Sequence, residues 1–264
     1  MNLHLGIGAQ LRSASCIAAA VCALALTGVS ASASPITFTG EDLTAGPGAL
    51  HPLSSAAAAS FTSAASLLGT VSTINFESAP VGNFSSLVIA PGVTISGLGS
   101  NLSSSVPQSI NNNYDHAFPS LDGFNTTPGG ANFVQVNGGT ITFTFATPTD
   151  FFGAYFSGVQ TYFYPDNLTF SDGTSETISI PGAGTNGSTG ALDYVGFTDA
   201  GKSITSITLT ASNVAIGADY IGIDDVSYDS GPVSTATPEP SSLLLLGTGL
   251  AGLAGLTAKR FSHS

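Results

Sequence analysis

The middle of the chain alternates between apolar and polar positions. Ile141, Phe143 and Phe145 are separated by Thr142 and Thr144, so apolar side chains recur at every second residue. A period of two turns one set of side chains toward a core and the other toward solvent. The pattern therefore predicts a β-strand with one buried face.

The clearest hairpin signal lies between residues 167 and 180. Asn167–Phe170 and Glu176–Ile180 are two short alternating runs, and Asp172-Gly173 stands between them. An Asp-Gly pair in that position favours the positive φ angles of a tight primed turn. The stretch is therefore predicted to form two antiparallel neighbouring strands.

Similar runs recur from residue 71 to residue 228, with Gly, Pro and Asn between them. They predict further strands at Val71–Ser78, Leu87–Ile89, Val93–Ser96, Phe133–Val136, Phe151–Ser157, Tyr194–Thr198, Ile204–Thr210 and Tyr220–Tyr228. About ten short strands of this kind indicate an all-β fold, an antiparallel two-sheet sandwich. By analogy between folds, a jelly-roll-like strand order is expected.

One helix is predicted before the strands, over Pro52–Leu68. A proline suits its first turn, and Phe61, Ala65 and Leu68 fall on one helical stripe. Gly69 suits its end. By contrast, the polar stretch 97–130 has no period and is expected to form surface loops, where binding often occurs.

The first 33 residues have the pattern of a secretory signal peptide. Arg12 provides the positive start, Cys16–Leu26 the apolar centre, and Ala31-Ser32-Ala33 the small residues of a cleavage site after Ala33. Cys16 and Cys22 lie within this segment. The mature chain is therefore expected to lack cysteine, which excludes disulfides and thiolate metal sites.

The other end of the chain combines a short acidic motif with an apolar segment. Pro238-Glu239-Pro240 precedes the uncharged segment Leu243–Ala258, which is followed by Lys259 and Arg260. As a helix this segment reaches about 24 Å, less than the ~30 Å of a hydrocarbon core. It is a marginal membrane span, and its basic stop is expected on the cytoplasmic side.

This tail resembles the PEP-CTERM sorting tail of Gram-negative envelope proteins. The resemblance implies recognition by an exosortase-type transpeptidase, cleavage near Pro238-Glu239-Pro240, and a transient membrane anchor. Residues 52–78 and Ile223–Val226 also resemble a domain that is common among proteins with this sorting tail. The expected order is a signal peptide (1–33), leader and helix (34–70), sandwich (71–229), linker (230–237) and sorting tail (238–264).

Charge is scarce in this chain. The formal net charge is −12, yet only 8% of residues are charged, and Lys202 is the one Lys or Arg between residues 34 and 237. Nucleic acid is excluded as a partner, because neutralising phosphates takes several cationic side chains. The composition, rich in Gly, Ser and Thr, fits an exported β-protein.

Asp224 and Asp225 form the most informative polar pair. On a regular strand their side chains point to opposite faces, so one carboxylate is expected to face apolar residues and to need a partner. A bound Ca²⁺ meets that need, with Glu77 as a third ligand if the first and last strands are neighbours. The alternative is a set of carboxylates satisfied by backbone N–H groups without metal.

An aromatic and acidic group precedes the hairpin. Tyr162, Tyr164 and Asp166 have the residue types of a sugar-binding surface, which residues 111–115 (Asn-Asn-Asn-Tyr-Asp) extend. The alternative is that these aromatic residues anchor loops or the core.

No residues are assigned to catalysis, because the chain has no nucleophile elbow, phosphate loop or zinc signature. The sequence, with the resemblance, favours a non-enzymatic cell-surface or matrix protein, exported through the inner membrane and associated with exopolysaccharide or biofilm. A Ca²⁺-dependent carbohydrate-binding module is the alternative. A secreted glycan hydrolase is the third possibility.

Overall fold

A computed structural model describes most of the central part of the chain. The described residues are 35–101, 104–113, 122–160, 167–171, 176–182, 190–211, 213–214, 217–218 and 220–231, in a compact unit that begins at Pro35. The predicted signal peptide, sorting tail, hairpin turn, and residues Tyr162, Tyr164 and Asp166 lie outside this set. Within the described ranges, no helix is long and apolar enough to span a membrane.

The described residues form one helix and short strands that follow the predicted runs. The helix is α1 (Pro52–Ala65), and the strands are β1 (Ile36–Leu43), β2 (Val71–Ile74), β3 (Gly82–Phe84), β4 (Ser86–Ala90), β5 (Val93–Asn101), β6 (Ser104–Asn111), β7 (Phe133–Asn137), β8 (Gly139–Thr149), β9 (Phe151–Val159), β10 (Asn167–Ser171), β11 (Glu176–Ser179), β12 (Ala191–Thr198), β13 (Ile204–Ala211), β14 (Asn213–Val214), β15 (Gly217–Ala218) and β16 (Tyr220–Asp229). The prediction of a β-rich fold with one short helix is confirmed.

The strands join into one curled antiparallel sheet. Its order is β1-β12-β9-β16-β7-β6-β5-β8-β13-β10-β11, with β2 beside β16, β3 beside β6 and β4 beside β5, while β14 and β15 pair separately. The expected sandwich of two separate sheets is thus a single sheet whose halves face each other. Phe170 stacks on Phe197 at 4.1 Å between ring centroids, and Phe143 meets Phe152 at 5.6 Å, so both halves share one core.

The two halves of the sheet, β1-β12-β9-β16-β7 and β5-β8-β13-β10-β11, form two layers, and β6 connects them. Residues 104–107 of this strand pair with β5, and residues 109–111 pair with β7. Pro107, which has no N–H to donate, stands at the change of partner. The buried side chain of Gln108 provides hydrogen-bond partners for the backbone at this corner. Its amide donates to the carbonyls of Gly138 and Thr140, and its oxygen accepts from Asn137 N–H.

Helix α1 covers the outer face of the layer that contains β1, β12 and β9. The fully buried ring of Phe61 lies over Gly153 and Gly196, where an added Cβ would meet the ring at 3.0 and 2.7 Å. Glycine at these two positions lets the helix approach the sheet closely. The helix ends at Ala65, three residues earlier than predicted.

Five strands lie where none was predicted: the short β3, β14 and β15, and the longer β1 and β6. The segment expected as a polar leader contains β1, an edge strand that pairs with β12 along its whole length. The stretch expected as loops, 97–130, contains the end of β5 and all of β6. Strands β1 and β6 are largely polar, so neither produces a clear apolar period.

Candidate functional site

Residues 122–132 form a loop that is held to the sheet by the carboxylates singled out in the sequence. Glu77, just after β2, accepts hydrogen bonds from the backbone N–H groups of Ala131 (3.0 Å) and Asn132 (3.1 Å). The same carboxylate accepts from the Asn125 side-chain amide at 2.8 Å. A Cβ on Gly130 would lie 2.2 Å from the Glu77 Oε1 atom, so a side chain at this position would displace the Glu77 carboxylate.

Asp224 holds the other end of the same loop. Its Oδ2 atom accepts from the backbone N–H groups of Thr126 (2.7 Å) and Thr127 (3.1 Å), and its Oδ1 atom accepts from Asp225 N–H at 2.8 Å. Asp224 is 1% exposed. Backbone donors therefore satisfy this buried carboxylate.

A bulge in β16 decides where the two aspartates point. The pairing of β16 with β9 shifts between Asp224 and Ser227, and Asp225 has a φ of 47°. The core face of β16 consequently runs through residues 221 and 223, then 226 and 228. Neither carboxylate belongs to the core cluster, because the extra residue interrupts the alternation; Asp224 is nevertheless buried and has hydrogen-bond partners, as expected. Asp225 instead accepts from the Thr127 hydroxyl at 2.8 Å.

The electrostatics of the pair follow from this burial. Burial, with a further contribution from the Asp225 charge, raises the pKa of Asp224 to about 7, although the N–H donors of Thr126, Asp225 and Thr127 act in the opposite direction. The folded protein therefore favours the neutral form of this carboxyl group more than an exposed aspartate does.

The three carboxylates are brought to one loop, but not to one point. Glu77 binds residues 125, 131 and 132, whereas Asp224 and Asp225 bind residues 126 and 127. Among the described residues, no group of three or more His, Cys, Asp or Glu side chains is placed to share a metal ion.

Beside this loop lies a cleft of about 430 Å³. Its walls come from segments 46–49 and 124–131 and from His51, Asn112, Phe133 and Leu192. Amide, hydroxyl and backbone groups stand next to aromatic and aliphatic side chains. Such a mixed lining, a few polar groups on an apolar base, is typical of small-molecule sites.

His51 is positioned by the start of α1. Its Nδ1 atom lies 2.9 Å from the Ser55 hydroxyl, and its ring meets Tyr155 edge to face at 5.9 Å. Sequence reasoning gave His51 no role. It did mark Asn112 as part of a sugar-binding patch, and the structure places Asn112 in the cleft wall.

One family model matches the chain, described as the PEP-CTERM protein-sorting motif, at residues 236–260. The chain carries a PEP-CTERM sorting motif. The match confirms the resemblance drawn from Pro238, Glu239 and Pro240 and includes Lys259 and Arg260. This motif is the recognition signal for exosortase, and it indicates export and a cell-envelope or surface location. No curated protein and no solved structure matches the chain.

Proposed function

We propose that this PEP-CTERM protein is a non-enzymatic component of the cell surface or extracellular matrix that binds exopolysaccharide in the cleft beside loop 122–132. The observation that carries the proposal is the tethering of that loop by Glu77 and Asp224. A loop held at both ends by hydrogen bonds to carboxyl groups is pre-organised, so little ordering entropy is lost when a ligand binds.

The lining of the cleft suits an uncharged sugar. Asn112 provides an amide, Thr126 and Thr127 provide hydroxyls, and Pro47, Pro128 and Ala131 provide accessible apolar surface. Sugar hydroxyls need donors and acceptors, whereas the faces of a pyranose ring need apolar contact. Because Glu77 and Asp224 are occupied by loop donors, they support a binding role better than acid–base catalysis.

The proposed route to the surface uses both ends of the chain. The signal peptide is removed after Ala33, the apolar segment 243–258 holds the chain transiently in the inner membrane, and the exosortase cleaves near Pro238-Glu239-Pro240. Mass spectrometry of the exported protein tests this route. A full-length chain with both ends intact in the cytosol contradicts it.

The cleft is tested by titrating the exported protein with the producer's own exopolysaccharide. Asn112→Ala removes an amide from the cleft wall, and Asn113→Ala is its matched control, since Asn113 is the next residue and lies outside the cleft lining. We expect Asn112→Ala to weaken binding roughly two- to tenfold, the range for one hydrogen bond. Equal affinities of both variants and the wild type contradict binding in the cleft.

A second candidate function is Ca²⁺-dependent carbohydrate binding through the adjacent pair Asp224 and Asp225, with Glu77 holding the other end of the loop. The adjacency of Asp224 and Asp225 favours it, because a cation between them relieves their repulsion. Thermal melts with calcium and with chelator test this candidate. A ligand of the folded state raises the midpoint, so an unchanged midpoint excludes the site.

The third candidate, glycan hydrolysis, is tested separately by sugar release from the same polysaccharide. We expect none, and a release that Asp224→Asn abolishes contradicts the non-enzymatic proposal.

A further inference from the structure

Hydroxyl groups form an ordered array on the outer face of the layer made of β4, β5, β8, β13, β10 and β11. Strand registers place one such side chain from each of six neighbouring strands in a single row, namely Ser86, Ser96, Thr142, Thr208, Thr169 and Thr177. The same registers add flanking positions at Thr94, Thr144 and Ser206 on one side and Thr140, Thr210, Asn167 and Ser179 on the other. These thirteen residues are called the hydroxyl face below.

None of the side chains of the hydroxyl face is buried, and none carries a charge. Neighbouring side chains of this face are close enough to form hydrogen bonds with one another. Thr142 Oγ1 lies 2.8 Å from Thr208 Oγ1, and the Ser179 hydroxyl donates to Asn167 Oδ1 at 2.9 Å. Two exposed apolar side chains, Val88 and Leu98, border the face.

The array has a regular spacing that follows from sheet geometry. Neighbouring strands are about 4.8 Å apart, and alternate residues along a strand are about 6.8 Å apart. A row of six strands therefore offers a hydroxyl roughly every 4.8 Å across the sheet. That distance is close to the advance per sugar residue of an extended glycan chain.

We propose that the hydroxyl face binds an extended, uncharged polysaccharide chain lying across the strands, on a surface separate from the cleft. The proposal rests on the proposed association with polysaccharide, but it assigns that association a second site. Successive sugars of such a chain meet successive strands, and many weak contacts along one polymer add up through effective concentration.

The chemistry of the face selects this partner. A chain of net charge −12 repels acidic polymers, and this face has no cation to attract them. A second copy of the protein fits less well, because the core of an interface between identical chains is predominantly apolar. A neutral glycan supplies both donors and acceptors to hydroxyls, which act as both. Its ring faces can also contact the threonine methyls, Val88 and Leu98.

The test uses the exported full chain and a linear, uncharged β-1,4-glucan as the probe, measured by co-sedimentation. The double variant Thr142→Val and Thr208→Val removes the two central hydroxyls and keeps β-branched side chains. The matched control, Thr37→Val and Thr39→Val, makes the same change at exposed positions of β1, outside the face. Circular dichroism melts of both double variants establish that each remains folded.

We expect the wild type and the Thr37/Thr39 control to co-sediment alike, and the Thr142/Thr208 variant to bind roughly tenfold more weakly, as two lost hydrogen bonds predict. Binding that falls with Asn112→Ala and not with the Thr142/Thr208 variant overturns this inference and leaves the cleft standing. Absence of co-sedimentation by the wild type also overturns it, while the exopolysaccharide titration still tests the cleft. A change of oligomeric state in the Thr142/Thr208 variant, with glucan binding retained, assigns the face to self-association and overturns the proposal.

Discussion

The carboxylate of Asp42 in β1 accepts a hydrogen bond of 2.8 Å from the backbone N–H of Ser54 in the first turn of α1. It also accepts from Leu53 N–H at 3.1 Å. The residue before the helix, His51, makes no side-chain capping bond. A strand residue thus satisfies the free N–H groups that begin every helix, and a negative charge faces the positive end of the helix dipole.

The first prediction concerns this cap. Asp42→Ala should lower the free energy of unfolding by about 1–2 kcal/mol, the usual cost of losing a helix cap. Burial alone acts to raise the pKa of Asp42, but the hydrogen bonds from Ser54 and Leu53 outweigh it and hold that pKa below the ordinary value of 3.8. The stabilisation is therefore complete above that value and is lost as pH falls through the lower, folded-state pKa.

Urea denaturation of the wild type and Asp42→Asn between pH 2 and pH 7 measures this dependence. The difference between them should narrow toward acid pH. A constant difference means that the charge of Asp42 does not cap the helix.

The second prediction concerns Asp224, whose pKa is raised by burial, and further by Asp225, to about 7. The folded state holds this proton more tightly than the unfolded chain, so stability declines as pH rises from about 4 to about 7. The difference corresponds to roughly 4 kcal/mol at most. Asp224→Asn cannot titrate and should show a flatter profile in urea denaturation. Parallel profiles for the wild type and Asp224→Asn contradict this assignment.

The third prediction concerns the packing of α1 against the sheet. Phe61→Ala removes the ring that lies over Gly153 and Gly196, and should cost about 3–5 kcal/mol. Leu67→Ala is the control, because Leu67 is close in sequence yet 86% exposed; it should change stability by less than ~0.5 kcal/mol. Similar midpoints of thermal unfolding for both variants mean that the helix contributes little to the fold.

The fourth prediction concerns the corner of the sheet. Gln108→Leu leaves the Asn137 N–H and the carbonyls of Gly138 and Thr140 without their partner, and a buried unsatisfied group costs about 1–3 kcal/mol. Chemical denaturation should show a loss of several kcal/mol, whereas the neighbouring Ser109→Ala should be nearly neutral. A small effect of Gln108→Leu indicates that water replaces the amide at this corner.

Alternation predicted the core strands because their inner positions are consistently apolar. The strands β8 and β13 follow it closely, whereas β9 and β12 are buried on both faces and show no alternation. By contrast, β1 lies at the sheet edge with Ile36 and Leu43 exposed, and β6 contains Pro107 and few apolar residues. The positions of β1 and β6 in the sheet depend on pairing with other strands, and such pairing leaves no periodic pattern in the local sequence.

The sequence singled out the carboxylates that hold the loop, but neither their geometry nor most of the cleft lining, namely segments 46–49 and 124–131 and His51. Glu77 and Asp224 were singled out because carboxylates need partners in so cation-poor a chain. Their partners are backbone groups 54 and 98 residues away, and such separations leave no local signal. The bulge at Asp225 was likewise invisible, since it depends on the register of β9 against β16.

Hydrogen–deuterium exchange of loop 122–132 tests the central claim most directly. The claim is that Glu77 and Asp224 hold this loop without a metal and that polysaccharide binds against it. In chelator, the backbone N–H groups of Thr126, Thr127, Ala131 and Asn132 should exchange slowly, and exopolysaccharide should slow the exchange of the loop further. Fast exchange that only calcium suppresses, or an exchange pattern unchanged by exopolysaccharide, contradicts the account.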